Sequence, residues 1–192
     1  MYFTKTPQLI KRLYPSLIWN KSNQEKTIYL TFDDGPIPEV TPWVLEQLHK
    51  HQLKATFFCI GDNVNKYPEI YQSVIDAGHT IGNHTYHHLN GWNTAIDTYL
   101  ANVRKCAELV KSKLFRPPYG RITPSQISAL KSEYTIVMWD VLSGDFDKNI
   151  SPVQCLHNVL KNTENGSIIV FHDSLKAEKN LRYALPIALK VW

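Results

Sequence analysis

Short apolar runs alternate with longer amphipathic stretches along most of the chain, and this pattern predicts strands that are each followed by a helix. Residues 28–32, 55–60 and 167–171 are apolar runs of strand length. Residues 67–77 and 96–113 instead carry apolar side chains at helical spacing. Strand followed by helix recurs about five to seven times, which favours a mainly parallel sheet, either open or closed into a barrel.

Turn and capping residues indicate where these elements begin and end. The segment Asp33-Asp34-Gly35-Pro36 is a strong turn signal at the end of the first strand. Further strands are predicted over residues 79–82 and 134–139, and a last helix over residues 177–191. Helix starts are predicted at three pairs of a hydroxyl residue and proline, namely Thr41-Pro42, Thr123-Pro124 and Ser151-Pro152.

Unusual polar residues follow five of the predicted strands. The C-terminal ends of parallel strands share one face of such a fold, where active sites are built. We therefore expect these side chains to converge on a single pocket. They are Asp33 with Asp34, Asn83 with His84 and His88, Arg116, Asp140 with Asp145, and His172.

His84 and His88 lie four residues apart, so both imidazoles can reach one ion. The HExxH pattern of zinc proteases is excluded because position 85 is threonine. One carboxylate with two imidazoles is a common ligand set for a catalytic divalent metal, and the second acid of the Asp33-Asp34 pair suits a base that takes a proton from water. The same triad serves non-haem iron oxygenases, which usually have all-β folds.

The composition fits one soluble domain. With 192 residues, 43% apolar and 20% charged, the chain can bury a core without a structural metal, so a bound metal would serve chemistry. The net charge of +4 is scattered, and nucleic-acid binding is not indicated. Residues 1–192 are predicted to form a single catalytic domain, in which residues 1–25 are an extension packed across the bottom or side of residues 26–192.

The sequence shows neither a signal-peptide core nor an apolar run of about 18 residues, so no transmembrane helix is expected. The three cysteines, Cys59, Cys106 and Cys155, are expected to be reduced and mostly buried, which favours a reducing compartment. A cytoplasmic location is favoured, association with the cell envelope stays open, and the oligomeric state cannot be read from the sequence.

Five motifs occur in order: Thr31-Phe-Asp-Asp-Gly-Pro36, His84-xxx-His88, Arg116-Pro-Pro-Tyr-Gly120, the segment 140–146, and Ile169-Val-Phe-His172. In these motifs the chain resembles the NodB-type polysaccharide deacetylases, a carbohydrate esterase family, from about residue 28 to residue 186. The resemblance implies an α/β fold, a distorted and incomplete (β/α) barrel of about seven mainly parallel strands with surrounding helices. It also implies metal-dependent hydrolysis of acetyl groups on N-acetylated sugars of the N-acetylglucosamine type.

The resemblance also implies roles around the metal. Asp34, His84 and His88 would hold a divalent ion, by default zinc, with cobalt, nickel or manganese as alternatives for the same ligands. Asp33 would be the general base. Arg116 would orient Asp33 and favour its ionised form, since a nearby cation stabilises a carboxylate.

A second group of residues would handle the leaving group and the substrate. His172 would be the general acid, with Asp145 paired to it and favouring its imidazolium form. The backbone amide of Tyr119 would help to hold the oxyanion. The acetyl group and the sugar would be contacted by four further residues, namely Phe146, Val170, Trp92 and Pro118.

The family usually has Asp-Trp where this chain has Asp145-Phe146. The replacement of tryptophan by phenylalanine is expected to affect the shape of the pocket more than the reaction. Three alternatives stay open: an esterase for O-acetyl sugars, a hydrolase for a non-sugar amide, and a sugar-binding relative without activity. The expected partner is an acetylated oligosaccharide or polysaccharide, and the sequence does not specify which one.

Overall fold

A computed structural model describes residues 2–24 and 26–192, and its centre is one seven-stranded sheet. Every strand pair in the sheet is parallel, and the spatial order is β5-β4-β3-β2-β1-β7-β6. The predicted incomplete (β/α) barrel is therefore confirmed. The strands are β1 (Tyr29–Asp33), β2 (Thr56–Cys59), β3 (Thr80–Asn83), β4 (Leu114–Phe115), β5 (Thr135–Ile136), β6 (Val141–Leu142) and β7 (Ile168–His172).

Eight α-helices accompany the sheet in the described part of the chain. None of them combines the length and the apolar character needed to cross a bilayer. The helices are α1 (Gln8–Leu13), α2 (Thr41–Lys50), α3 (Gly61–Lys66), α4 (Pro68–Asp76), α5 (Ile96–Ala107), α6 (Pro124–Leu130), α7 (Pro152–Asn162) and α8 (Glu178–Val191).

Two of the three predicted helix starts have a side-chain cap. Thr123 and Gln126 form a reciprocal capping box at α6, and the Ser151 side chain accepts from the Gln154 amide at α7. Thr41, in contrast, is not the N-cap of α2, which is Val40. The Thr41 hydroxyl instead donates to the Asp173 carboxylate at 2.6 Å. A hydrogen bond to a distant residue thus takes the place of the expected helix cap.

The structure divides the predicted strand over residues 134–139. Only Thr135–Ile136 pairs as β5, and β6 follows as a short strand that the sequence pattern did not reveal. The reason is that the chain changes its hydrogen-bond partner after Val137. The amide of Val137 donates to the backbone oxygen of Phe115 in β4, whereas the amide of Met138 donates to that of Ile18 in the N-terminal segment. The predicted helix over residues 96–113 likewise ends earlier, at Ala107, and helix α3 was not predicted.

The core is built from aromatic rings on adjacent strands. Phe32 of β1 is in register with Phe57 of β2 and Phe171 of β7, and its ring lies 5.0 Å and 6.2 Å from theirs. Side chains alternate along a strand, so Thr31 and Asp33 point to the opposite face of the sheet. The aromatic packing against the helices thereby directs Asp33 towards the barrel interior.

The N-terminal segment, residues 2–24, packs along the edge of the sheet beside β6. Lys5 forms an antiparallel bridge with Val141, and Ile18 forms a parallel bridge with Val137. Met1 and Glu25, at the two ends of the predicted extension, lie outside the described residues. Cys59, Cys106 and Cys155 are all buried free thiols, as expected.

A buried carboxylate anchors this segment. Asp140 is 1% exposed, and it accepts from Lys5 at 2.6 Å, from Lys11 at 2.5 Å and from the Ser167 hydroxyl at 2.6 Å. Asp140 therefore does not join the predicted pocket of polar residues. Its charge is satisfied by lysines that are distant in sequence, so it ties residues 5–11 to the sheet.

We expect Asp140→Ala to lower the free energy of unfolding by about 3 kcal/mol, because it leaves the largely enclosed Lys11 ammonium, whose side chain is 9% exposed, without its counter-ion. Urea denaturation measures this loss, and Asp140→Ala/Lys11→Met should recover part of it by removing the unpaired charge. Glu178→Gln, which breaks the more exposed pair with Arg182, is the control and should cost less than about 0.5 kcal/mol. A loss below about 1 kcal/mol for Asp140→Ala would contradict the anchoring role.

Candidate metal centre and active site

The C-terminal ends of the strands bring the predicted polar residues to one groove of about 810 Å³. Asp33 ends β1 and His172 ends β7, and the two residues are partners in the register of these neighbouring strands. The convergence expected from the parallel sheet is present for most of the set. The predicted residues that line the groove are Asp33, Asp34, His84, His88, His172, Tyr119, Phe146 and Trp92.

Asp34, His84 and His88 each present a ligand atom, and these atoms lie within 4.8 Å of one another. Oδ1 of Asp34 is 3.7 Å from Nε2 of His84 and 3.2 Å from Nε2 of His88. This oxygen is buried and has no aligned hydrogen-bond donor among the described residues. A buried carboxylate oxygen facing two imidazole nitrogens is a donor set that fits a divalent metal.

Electrostatics keep Asp34 ionised. Burial by itself would raise the pKa of its carboxyl group, but the neighbouring His88, His172 and His84 outweigh burial and lower the pKa well below its usual range. The carboxylate is thus available as an anionic ligand near pH 7.

His84 is held in the form that a metal requires. Its Nδ1 lies 2.8 Å from the backbone oxygen of Arg116, and a carbonyl oxygen only accepts, so Nδ1 carries the proton. The lone pair of Nε2 is then free to face Asp34 and His88. Burial lowers the pKa of His84 to about 4, which keeps the ring neutral near pH 7.

Strained backbone is concentrated at this site. Five non-glycine residues of the described chain have positive φ, and four of them lie at or beside the metal ligands. These four are Asp34 (φ 83°), Thr85 (φ 61°), His88 (φ 56°) and Tyr119 (φ 61°). Such conformations cost about 1–3 kcal/mol each unless the surroundings impose them, so the site needs support from neighbouring residues.

Asparagines provide that support for the histidine loop. Asn83 accepts from the amide of Thr85 at 2.9 Å, and Asn102 of α5 accepts from the amides of Tyr86 and His87 at 2.8 Å and 3.0 Å. Asn102 was missed by the sequence analysis. Its signal is a polar residue on the apolar face of a helix, which is unfavourable unless the side chain finds partners.

Asp173 supports the turn that carries Asp34, and it too was missed. Its carboxylate accepts from the amide of Gly35 at 3.1 Å and from the hydroxyl of Thr41 at 2.6 Å. A Cβ at position 35 would collide with this carboxylate, so only glycine fits there. The available signal was an acidic residue directly after His172 at the end of a buried strand.

Asp33 is fixed by a buried guanidinium. Arg116 has no exposed surface, and its Nη1 donates to Oδ1 of Asp33 at 2.6 Å and to the hydroxyl of Thr31 at 2.8 Å. Its Nε and Nη2 atoms donate to the backbone oxygens of Val137 and Met138 respectively. Because one oxygen of Asp33 is bound in this way, the other oxygen is the one left to take a proton.

His172 and Asp145 form a second ion pair. Nδ1 of His172 lies 2.7 Å from Oδ1 of Asp145, and the amide of His172 donates to Oδ2 at 2.7 Å. Burial by itself would lower the pKa of His172, but the Asp145 carboxylate raises it to about 9. The ring therefore carries a proton on Nε2 at neutral pH, which is the state of an acid.

The predicted substrate contacts divide into two groups. Trp92 and Tyr119 are 63% and 60% exposed and line the groove, as does Phe146, whose ring lies 5.0 Å from that of His172. Val170 and Pro118 are buried and do not line it.

The N-terminal segment also reaches this groove. Tyr2, Phe3, Tyr14 and Trp19 are among the residues that line it. The segment was expected across the bottom or the side of the domain. The bridges with Val141 and Val137 hold it beside the sheet edge, from where it reaches the groove.

Comparison with known proteins identifies a family. The family profile described as polysaccharide deacetylase matches residues 20–136. A peptidoglycan-N-acetylglucosamine deacetylase of Bacillus cereus is 40% identical over 154 residues, which are 77% of this chain and 56% of that protein, so the match spans little more than half of the relative. A chitooligosaccharide deacetylase of Azorhizobium caulinodans is 35% identical over 79% of this chain and 76% of its own length.

A solved structure agrees over nearly the whole chain. The crystal structure of the Bc1960 peptidoglycan N-acetylglucosamine deacetylase, in complex with 4-naphthalen-1-yl-N-oxidanyl-benzamide, superposes with a TM-score of 0.83. It is 33% identical to this chain, and the match covers 97% of this chain and 91% of that one. The likeness therefore includes the N-terminal segment as well as the residues that the family profile matches.

We expect His84→Ala to weaken Zn²⁺ binding by ~100-fold or more, because it removes one of three protein ligands from a preformed site. Calorimetric titration of metal-stripped protein with Zn²⁺ measures the change without reference to activity. His87→Ala is the matched control, since this exposed neighbour is not part of the triad. Equal affinities for the wild type and His84→Ala would show that the metal is held elsewhere.

Proposed function

The chain belongs to the polysaccharide deacetylase family, and on that premise we propose that it removes acetyl groups from N-acetylated sugars of the N-acetylglucosamine type. The observation that carries this proposal is the meeting of three units in one groove. They are the Asp34, His84 and His88 ligand set, the Asp33–Arg116 pair, and the His172–Asp145 pair.

These units match the difficulties of amide hydrolysis. An acetamide resists attack because its carbonyl is stabilised by resonance, and its amine is a poor leaving group. When bound, a divalent metal supplies Lewis acidity that activates water and polarises a carbonyl group. Zinc suits a set of two imidazoles and one carboxylate, and cobalt, nickel or manganese would accept the same ligands.

The protein residues would move the protons. The free carboxylate oxygen of Asp33 would take the proton of the attacking water, while Arg116 holds the other oxygen and sets the orientation. Nε2 of His172 would give its proton to the departing amine nitrogen. Asp145 keeps that proton on His172 at neutral pH. The base, Asp33, is thus paired with a cation, and the acid, His172, is paired with an anion.

The substrate class follows from the relatives and the groove. The Bacillus relative is a peptidoglycan deacetylase and the Azorhizobium relative a chitooligosaccharide deacetylase. N-acetylglucosamine is the unit common to both substrates. Exposed aromatic side chains such as Trp92 and Tyr119 offer flat apolar faces suited to sugar rings.

We expect Zn²⁺-loaded protein to release acetate from chitin oligomers or peptidoglycan fragments, and Asp33→Asn to lower kcat by ~100-fold or more because it removes the base. Enzymatic assay of free acetate measures both rates. The exposed Asp76→Asn variant is the control and should match the wild type.

An O-acetylated sugar belongs in the same assay. Release of acetate from the O-acetylated sugar alone would indicate that the protein is an esterase and not an amidase. No release from any acetylated sugar by protein with bound Zn²⁺ would contradict the proposal and favour a binding function or a non-sugar amide.

We expect kcat to fall as pH rises through about 9, since His172 loses its proton there and ceases to be an acid. In Asp145→Asn the largest influence that raises the pKa of His172 is removed while burial, which lowers this pKa, stays, so the alkaline limb of the profile should move to lower pH. Rate profiles from pH 5 to about pH 10, with Asp76→Asn as control, test this. An unshifted limb in Asp145→Asn would exclude His172 as the group that titrates.

A further inference from the structure

Residues 2–19 precede the part of the chain that the family profile matches, yet they form a wall of the same groove. Two of the side chains that they contribute are Tyr2 and Phe3, next to each other in sequence. The ring of Phe3 is 57% exposed although it is apolar. An exposed aromatic ring at the rim of a catalytic groove is a feature of a binding surface.

We propose that Phe3, supported by Tyr2, forms an additional sugar-binding subsite, on which a sugar unit beyond the one being deacetylated stacks. This inference rests on the proposed function for the identity of the ligand. It concerns a part of the chain that supplies neither a metal ligand nor a proton-transfer group.

Aromatic contacts connect this position with the reactive centre. The Phe146 ring lies 5.0 Å from the His172 ring on one side and 5.2 Å from the Tyr2 ring on the other. Phe3 follows Tyr2 and lines the same groove. A chain of sugars with one unit at His172 thus meets the rings of Phe146 and Tyr2, and Phe3 lines the same groove.

A second aromatic surface begins at a different point of the centre. The ring of Tyr119 lies 4.6 Å from that of His88, and Trp92 is close by, with Arg121 over its indole at 5.1 Å. The groove therefore has aromatic side chains next to His172 and next to His88. An oligosaccharide long enough to contact both surfaces gains more than a short one.

The N-terminal subsite is held rigidly. The hydroxyl of Tyr2 donates to Asp147 at 2.9 Å, and the backbone oxygen of Thr4 accepts from the amide of Leu142 at 2.9 Å. Lys5 follows and pairs with the buried Asp140. Because residues 2–5 are fixed before substrate arrives, little ordering entropy is lost on binding.

The chemistry of the rim favours a sugar over an acyl chain. A sugar ring has an apolar face of C–H groups that stacks on an aromatic ring, and hydroxyls at its edge that need polar partners. Lys176 lies 5.3 Å from the Phe146 ring, and Asp147 lies beside Tyr2, so charged groups border the aromatic rings. An aliphatic ligand has no group to pair with these charges.

The test uses β-1,4-linked N-acetylglucosamine oligomers of two to six units as probes. We expect Phe3→Ala to raise KM for the hexamer by roughly tenfold with kcat nearly unchanged, and to leave kcat/KM for the dimer as in the wild type. Phe3→Trp should keep the affinity for the hexamer. Leu13→Ala is the matched control, because Leu13 is 65% exposed on the same segment and does not line the groove.

A parallel binding titration uses the same oligomers with Zn²⁺-loaded Asp33→Asn protein, with and without Phe3→Ala. Loss of affinity for the hexamer but not for the dimer in Phe3→Ala supports the subsite. If the wild-type protein releases no acetate in the separate assay, the proposed function fails, but this binding result still supports the subsite. Normal acetate release with no length-dependent change in Phe3→Ala overturns the subsite and leaves the function. An equal loss at every length, or the same loss in Leu13→Ala, also overturns it.

Discussion

The buried Arg116 guanidinium is the constraint on which the active site depends. A group with five N–H donors and a permanent charge is stable inside a protein only when its donors are satisfied. Every nitrogen atom of the Arg116 guanidinium donates, in four hydrogen bonds, to Asp33 and Thr31 of β1 and to the backbone oxygens of Val137 and Met138 beyond β5. The cation thus ties opposite parts of the open barrel together, and its backbone oxygen also sets the tautomer of His84.

The same principle recurs at two other buried carboxylates, Asp145 and Asp140, each of which is paired with a residue distant in sequence. Asp145 is fully enclosed and accepts from both the ring and the amide of His172. Asp140 lies between Lys5 and Lys11. Buried ion pairs contribute little net stability, but each permits only one arrangement of its partners. Catalytic geometry and the position of the N-terminal segment are therefore specified by buried charges whose partners lie far away along the chain.

Much of the architecture was predictable because it follows from local patterns. Alternating apolar and amphipathic stretches identified the parallel fold, and the order of the five motifs identified the family, which the profile match and the relatives confirm. The metal ligands were proposed from a carboxylate and two histidines spaced by four residues, and the structure brings these three together. Val170 and Pro118 are buried and do not line the groove, and their role in substrate contact stays a prediction, since sequence proximity to a motif does not show whether a side chain reaches the surface.

The sequence by itself determined the alternation of strands and helices, the family, and the residue types available for hydrolysis, because these depend on periodicity and on short motifs, but it did not reveal β6 or α3. Only the tertiary structure decided what Thr41, Asn102, Asp140 and Asp173 do, since the partner of each lies far away along the chain. The same holds for Tyr2 and Phe3, whose place in the groove depends on the pairing of residues 4–6 with β6. Hydrogen bonds and ion pairs between distant segments leave no periodic trace in a sequence, so these roles appear only when the chain is folded.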